Sequence, residues 1–294
     1  MKYITLRAKL RKRLAGNETL IAPGVYDALS ARQVELAGYP AVHAGSYSFA
    51  SSLGLPDVGI LNMTEMCDKV REVADAVSIP VIADAENGFH GPSALARVVR
   101  AFEHAGACGI HIEDHLSGKH TSESKRVIPL EQAVQKIRAA VAGRDDPNFL
   151  VIARTDVAWA TNRVADAVER MVAFAEAGAD AVMPIGLTLE QLHEIRQRIA
   201  VPVVIVNTHG NSLESERAAG ANLVIYHSFC IDAATFGIQH ALQRFAATKN
   251  IRSLEGSISS HEEMEALLKY AEYDERRRSH AAFGSAIDTD GIAA

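Results

Sequence analysis

The chain has 294 residues, of which 48% are apolar and 22% are charged, so it is long and apolar enough to build one large core. Asp and Glu total 36 against 30 for Lys and Arg, and the net charge of −6 argues against nucleic-acid binding, because phosphate contacts need a surplus of cations. No apolar run approaches the ~18 residues of a membrane-spanning helix, so we expect no membrane partner.

The start of the chain and its cysteines both indicate a reducing compartment. Residues 1–13 are cationic, but no apolar stretch or cleavage site follows them, so we expect no secretion signal. Cys67, Cys108 and Cys230 are odd in number and far apart, which is typical of buried thiols rather than of a disulfide framework. We therefore expect a cytoplasmic protein.

Eight short apolar runs recur along the chain and predict eight strands. They lack strict alternation with polar residues, as expected for parallel strands that are covered on both faces. The runs are 19–22, 41–44, 81–83, 109–112, 150–153, 181–185, 203–206 and 223–226.

Helical patterns separate these runs. Four times a helix-like stretch ends in Ala-Gly, at residues 37–38, 105–106, 177–178 and 219–220, and glycine just past a helix end is a stop signal. Eight strands alternating with helices predict a (β/α)8 TIM-type barrel. The alternative is an open, doubly wound sheet, which the even spacing and the lack of a Gly-rich dinucleotide motif disfavour.

No linker divides the chain, so we predict a single domain over residues 1–294. An N-terminal helix should precede a barrel at about 17–245, and a helical extension should follow at about 246–294. The charged, helical pattern at 261–278 is too long for a simple cap, and we expect it to pack on a partner subunit.

Acidic residues collect at the predicted ends of neighbouring strands, where barrel enzymes build their sites. Asp57 follows the second strand, Asp84 and Glu86 end the third, and Glu113 ends the fourth. Four oxygen donors with no cysteine suit a hard cation, Mg²⁺ or Mn²⁺. The alternative is that these acids cap the next helix or pair with Arg and Lys residues, but four acids on adjacent strand ends beside Arg154 favour a site.

Six of the 12 histidines lie near the same predicted rim, but no HxH or HExxH spacing supports a zinc site. Singly, each is better explained as a structural residue. They are His43, His111, His115, His120, His209 and His227.

Five stretches in this order resemble the isocitrate lyase/phosphoenolpyruvate mutase superfamily. They are residues 23–31 (PGVYDALSA), 53–57 (LGLPD), 81–88 (VIADAENG), 112–114 (IED) and 152–156 (IARTD), and the similarity runs from about residue 5 to 245. The resemblance implies an α/β barrel, usually a homotetramer (a dimer of dimers) with exchanged C-terminal helices. It also implies a Mg²⁺-dependent site for a small 2-oxo or 2-hydroxy acid.

The resemblance also assigns roles to residues. Asp84 would bind the metal directly or through water, and Asp57, Glu86 and Glu113 would bind it through water. The remaining assignments concern the substrate and the chemistry. Ser46 and Tyr47 would bind the substrate carboxylate through their backbone N–H groups, Arg154 would pair with a substrate oxyanion, and Lys119 matches the family's loop lysine. Beyond these roles, we predict that Asn207 and Ser228 also bind the substrate. The predicted catalytic residues are Arg154, Lys119, His120 and Glu113.

Several positions depart from the family's lyases. Thr121 stands where their loop cysteine would be, and Ile185 where their sixth strand carries Glu. Glu86 is longer than the family's usual Asp. Ser228 occupies the place of the strand-8 histidine of the family's oxaloacetate decarboxylase branch, with His227 one residue earlier. His120 is a hypothetical substitute proton donor, because histidine titrates near neutrality.

The cysteine-free loop and Ile185 favour oxaloacetate decarboxylation, which needs the fewest protein groups, whereas Ser228 departs from that branch. The alternatives are a 2-methylisocitrate or 2-alkylmalate lyase, an enzyme resembling carboxyphosphonoenolpyruvate or phosphonopyruvate mutase, and a silent binder of 2-oxo acids.

Overall fold

The computed structural model describes residues 1–116, 121, 125–208 and 210–280. It divides into two units, Met1–Ala233 and Ala234–Ala294. The sequence-based boundary near residue 245 stays a prediction.

All eight predicted strands are present in the first unit, and all pair in parallel. They run in the order β6-β5-β4-β3-β2-β1-β8-β7, and a parallel bridge between Val182 and Val203 brings the two ends together. The predicted barrel is thereby confirmed, and the open sheet is excluded. The strands are β1 Leu20–Val25, β2 Val42–Ala44, β3 Val81–Asp84, β4 Gly109–Glu113, β5 Leu150–Thr155, β6 Ala181–Pro184, β7 Val204–Val206 and β8 Leu223–Tyr226.

Thirteen α-helices are described. They are α1 Lys2–Leu14, α2 Ala28–Leu36, α3 Ser46–Ser52, α4 Met63–Ala76, α5 Leu95–His104, α6 Leu130–Gly143, α7 Val157–Thr161, α8 Val164–Glu176, α9 Leu189–Ile195, α10 Leu213–Ala218, α11 Phe229–Thr248, α12 His261–Leu267 and α13 Tyr270–Ser279. The four Ala-Gly signals each end a helix, at α2, α5, α8 and α10, with the glycine at φ between +83° and +95°.

Strand parity decides which side chains enter the barrel. Ile82, Ile152 and Met183 belong to the cluster that fills the interior, whereas Ile110 and Ile112 pack under the surrounding helices. Because the side-chain period of a strand is two, Asp84 of β3 shares the interior side with Ile82. Asp84 lies opposite His111 in the β3–β4 register, and Glu113 lies opposite Arg154 in the β4–β5 register.

The predicted N-terminal helix closes the opposite end of the barrel. Leu10 and Leu14 of α1 are buried in the same cluster as the interior residue Leu20. The buried Arg7 donates hydrogen bonds to the carbonyls of Glu103 and Ala107. These contacts are structural, since barrel sites form at the other rim.

The second unit contains most of α11, together with α12 and α13. The helical pattern at 261–278 corresponds to two helices, α12 and α13, and Lys269 between them has a φ of +61°. α11 has no buried residue, and Phe236, Ile238 and Leu242 are each more than 60% exposed. No helix among the described residues has the length and apolar character needed to cross a bilayer.

Candidate active site at the carboxyl ends of the strands

A cavity of about 200 Å³ opens at the carboxyl ends of the strands in the first unit. Five of the predicted metal- and substrate-binding residues line it: Ser46, Tyr47, Asp57, Asp84 and Arg154. The remaining lining residues are His43, Gly45, His111, Met183, Ile185, Val206 and His227.

Three of the four predicted metal-binding acids converge beside this cavity. Oxygen atoms of Asp84, Glu86 and Glu113 all lie within 4.8 Å of one another, and each residue is at most 6% exposed. Buried like charges at this distance repel unless a cation or a proton intervenes. Because the donors are all carboxylate oxygens, the set fits a hard divalent cation. Asp57 lines the cavity but does not belong to this cluster of three.

The backbone turn after β3 aims these acids. The strand ends at Asp84, so the alternation of side chains along a strand does not set the direction of the Glu86 side chain. Glu86 instead adopts the left-handed region with φ of +51°, a conformation that costs energy for a residue with a Cβ. Its backbone N–H donates a 2.8 Å hydrogen bond to Asp84 Oδ1, and the Ser46 hydroxyl donates one of 3.1 Å to Asp84 Oδ2.

A buried lysine ties this turn to β4. Lys136 of α6 donates hydrogen bonds from Nζ to the carbonyls of Asn87, at 3.0 Å, and Glu113, at 3.2 Å. Burial lowers the pKa of Lys136, and the nearby Asp114 and Glu113 oppose that shift. The backbone N–H of Glu113 in turn donates to Glu86 O at 2.9 Å. Sequence reasoning missed Lys136.

Arg154 is held rigidly at the cavity wall. Its Nε and Nη2 donate to the two oxygens of Asp156 at 2.8 and 3.0 Å, and its Nη1 lies 3.1 Å from Glu113 Oε2. Burial by itself would lower the pKa of Arg154, but Asp156, Glu113 and Asp84 outweigh it and raise the pKa well above its ordinary value. The alternative that the acids pair with arginine therefore holds for Glu113.

Two histidines that line the cavity meet end to end through their Nε2 atoms. Nε2 of His43 is 2.9 Å from Nε2 of His111, the ring centroids are 5.2 Å apart, and the planes differ by 15°. His111 Nδ1 lies 3.5 Å from Asp84 Oδ1. Burial lowers the pKa of His43 well below its ordinary value, and His111 lowers it further. The sequence signal was a histidine inside each of two apolar strands, which we interpreted as structural.

The start of α3 offers backbone donors at the cavity. Gly45 precedes the helix, and Ser46 and Tyr47 are its first two residues. The first N–H groups of a helix have no acceptor within it, so these two can bind an anion. Gly45 is required here, because a Cβ at this position would lie 2.4 Å from Cε1 of His43.

The far wall of the cavity is apolar. Met183 is 1% exposed at the end of β6, Ile185 follows that strand, and Val206 ends β7. His227 lies edge-on to the Tyr47 ring, with centroids 5.4 Å apart. Met183, Val206 and His227 were not predicted as site residues.

Two predicted substrate-binding residues do not line the cavity. The Asn207 amide donates to Glu216 Oε1 at 2.7 Å, and the Ser228 carbonyl accepts from the backbone N–H of Asp232. His227 is the residue near the end of β8 that lines the cavity. The predicted catalytic residues Lys119 and His120, and also His209, lie outside the described residues.

The comparisons with known proteins agree with this arrangement. The family model described as phosphoenolpyruvate phosphomutase matches residues 10–246. The chain belongs to the isocitrate lyase/phosphoenolpyruvate mutase superfamily. Members that resemble the chain include proteins named as lyases and decarboxylases, and the chain is a carbon–carbon lyase of this superfamily.

Three members illustrate the range of the superfamily. 2,3-Dimethylmalate lyase of Eubacterium barkeri is 36% identical over 240 residues, covering 78% of this chain and 82% of that protein. An oxaloacetate decarboxylase of Rhodopseudomonas palustris is 35% identical over 208 residues, covering 70% and 72%. A structure of phosphonopyruvate hydrolase in complex with oxalate and Mg²⁺ is 30% identical with a TM-score of 0.84, covering 94% of this chain and 98% of that one.

Proposed function

We propose that the protein is a Mg²⁺-dependent decarboxylase of oxaloacetate or of a closely related short 2-oxo dicarboxylic acid. The observation that carries the proposal is the division of the cavity into an acidic side, at Asp57 and Asp84, and an apolar side, at Met183, Ile185 and Val206. A cation held on the acidic side would bind the two adjacent oxygens of a 2-oxo acid. The apolar side would then contact the carboxylate that leaves.

The residues that would hold the cation are Asp84, Glu86 and Glu113, with Asp57 nearby at the cavity wall. Mg²⁺ is our choice and Mn²⁺ the alternative, because both prefer oxygen donors. When bound, the cation supplies Lewis-acid stabilisation of the charge that develops on the 2-oxo oxygen.

The protein's own groups would orient the substrate. The backbone N–H groups of Ser46 and Tyr47 bind the C1 carboxylate, where the helix dipole adds a favourable field. Arg154 remains charged, and its two hydrogen bonds to Asp156 fix its orientation at the cavity wall. The guanidinium would therefore pair with a substrate oxyanion without reorganising.

The apolar wall favours loss of carbon dioxide. A carboxylate placed against Met183, Ile185 and Val206 is poorly solvated, whereas neutral carbon dioxide suffers no such penalty. The bond between C3 and the carboxylate breaks, its electron pair moves toward the 2-oxo group to give the enolate of pyruvate, and a proton then adds at C3. Solvent or the predicted donor His120 delivers that proton.

The test is pyruvate release from oxaloacetate above the background of Mg²⁺ alone. We expect turnover in the wild type, loss of at least 100-fold in Asp84→Asn, and little change in the exposed control Asp68→Asn. Turnover that survives in Asp84→Asn would exclude the proposed metal site. His120→Ala tests the proton donor separately, and unchanged turnover would remove it from the mechanism.

A carbon–carbon lyase acting on a methylated malate is the second candidate. The 36% identity to 2,3-dimethylmalate lyase favours it, and the apolar wall accommodates methyl groups. A substrate panel separates the candidates: carbon dioxide supports the first, a second carboxylic acid supports the lyase, and phosphate from phosphonopyruvate supports phosphonate chemistry. Mg²⁺-dependent oxalate binding without turnover would indicate a silent binder.

We also propose that the protein is a cytoplasmic homotetramer. The large exposed apolar side chains of α11, which include Phe236, Ile238 and Leu242, support self-association, because soluble monomers rarely expose such a group on one helix. Sedimentation analysis tests the oligomeric state.

A further inference from the structure

The buried pair His43 and His111 connects to the acidic cluster but has no part in the chemistry described above. Both residues are at most 3% exposed, and both line the cavity. They come from β2 and β4, and β3, which carries Asp84, lies between those strands. The arrangement forms a chain of contacts from His43 through His111 to Asp84.

A single proton must lie between the two Nε2 atoms, since 2.9 Å is a hydrogen-bond distance and two bare or two protonated nitrogens would repel. His111 Nδ1 faces the Asp84 carboxylate at 3.5 Å, so a proton is favoured there. A neutral His111 with its proton on Nδ1 has a bare Nε2 and can only accept. His43 must then donate from its own Nε2.

The surroundings of His43 agree with that tautomer. Its Nδ1 has no hydrogen-bond partner among the described residues, which suits the bare nitrogen of the ring. The same edge of the ring packs over Gly45, where a Cβ would lie 3.0 Å from Nδ1. The ring is therefore locked between the start of α3 on one side and His111 on the other.

We propose that His43 is a positioning residue for the metal site. Its Nε2–H fixes the tautomer and the orientation of His111, and His111 together with Ser46 and the Glu86 N–H fixes the Asp84 carboxylate. Removing a residue that orients a metal ligand in this way typically lowers metal affinity 10- to 100-fold. The inference rests on the metal site of the proposed function.

The first experiment measures binding of Mn²⁺ alone to the full chain by electron paramagnetic resonance. We expect His43→Phe, which keeps a ring but loses the donor, to weaken Mn²⁺ binding by about tenfold or more. We expect His43→Gln, whose amide can still donate to His111, to remain within about threefold of the wild type. The exposed histidine variant His104→Phe is the control and should bind as the wild type does.

Two results would overturn the proposal. In the first, His43→Phe binds Mn²⁺ as tightly as the wild type, and in the second, His43→Phe and His43→Gln lose the same amount of Mn²⁺ affinity. Asp84→Asn separates a failure of the metal site from a failure of the role proposed for His43. Unchanged Mn²⁺ binding in Asp84→Asn would refute the metal site itself, whereas its loss there, with no loss in His43→Phe, would refute only the role of His43.

A second measurement does not depend on the variants folding. Nitrogen-15 spectra of histidine-labelled wild type report which ring nitrogen carries the proton. We expect the Nδ1–H tautomer at His111 and the Nε2–H tautomer at His43. The opposite assignment at His111 would overturn the proposed chain of hydrogen bonds, whatever the binding data show.

Discussion

Asp156 binds the guanidinium of Arg154 through both carboxylate oxygens, at 2.8 and 3.0 Å, although the two residues are only two positions apart in the chain. Asp156 is itself fully buried, and its backbone N–H donates to Asp114 Oδ1 at 2.9 Å. A bidentate pair of this kind fixes the plane of the guanidinium as well as its place. Arg154 thus reaches the cavity in one orientation.

Asp156→Asn should leave a buried, incompletely paired arginine. We expect a loss of about 3 kcal/mol in the free energy of unfolding, measured with urea, and a fall of at least tenfold in turnover of the substrate. The control is Asp166→Asn, which removes the more exposed ion pair with Arg163 and should cost less than about 1 kcal/mol. Equal losses in the two variants would contradict the assigned role of Asp156.

Ile185→Glu should suppress decarboxylation. A second negative charge beside the leaving carboxylate would draw water or cations into the apolar side of the cavity and restore solvation of the carboxylate. We expect at least a tenfold lower kcat for oxaloacetate in Ile185→Glu, with Ile185→Val within about threefold of the wild type. If the two variants have the same kcat, the apolar wall does not contribute to the reaction.

Lys136→Met should loosen the turn that carries Glu86. The variant removes both the bond to the Asn87 carbonyl and the bond to the Glu113 carbonyl while it keeps most of the side-chain volume. We expect a loss of about 2 kcal/mol in unfolding free energy together with weaker Mn²⁺ binding. Lys9→Met, at an exposed position of α1, is the matched control, and a Lys136 variant indistinguishable from it would rule out this anchoring role.

The metal-free protein should become less stable as the pH falls below the ordinary histidine pKa. Burial lowers the pKa of His43 in the folded chain, so below about pH 6.5 the unfolded chain takes up a proton that the folded chain does not. The free energy of unfolding therefore has its full contribution from neutral His43 above that pH. This contribution declines on acidification, by at most about 1.4 kcal/mol per pH unit. Urea unfolding in EDTA at pH 7.5 and 5.5 measures this slope, which should be shallower in His43→Gln.

Phe236→Glu combined with Leu242→Glu should reduce the mass of the assembly. The two side chains are 72% and 63% exposed on α11, and burying two glutamates at an interface between subunits is unfavourable. Sedimentation velocity should show smaller species than in the wild type. An unchanged assembly would place the interface elsewhere, and Glu272→Gln on α13 serves as a surface control.

The eight strands could be recognised from the sequence because each is a run of apolar residues bounded by local signals. Gly38 and Gly106 mark helix ends through a backbone conformation that glycine adopts at little cost, so no distant contact was needed to locate them. The convergence of the acidic residues could be predicted for a related reason: Asp84 and Glu113 end adjacent parallel strands, and these ends meet at one rim.

The sequence was a weaker guide where side-chain direction mattered. Asn207 and Ser228 come shortly after the ends of β7 and β8 in the sequence. The Asn207 amide, however, donates to Glu216, and His227 rather than Ser228 lines the cavity. Lys136 lies 23 residues after Glu113, and nothing local shows that its amine reaches that carbonyl.

The sequence alone therefore determined the barrel, its eight strands and the acids at its rim, because short-range periodicity and helix stops encode them. The tertiary structure decided that His43 contacts His111. It also decided that Arg154 pairs with both Asp156 and Glu113. Met183 and Val206 form an apolar wall for the same reason. These contacts join residues from different strands, and their distances depend on barrel closure and strand register, which no local pattern specifies.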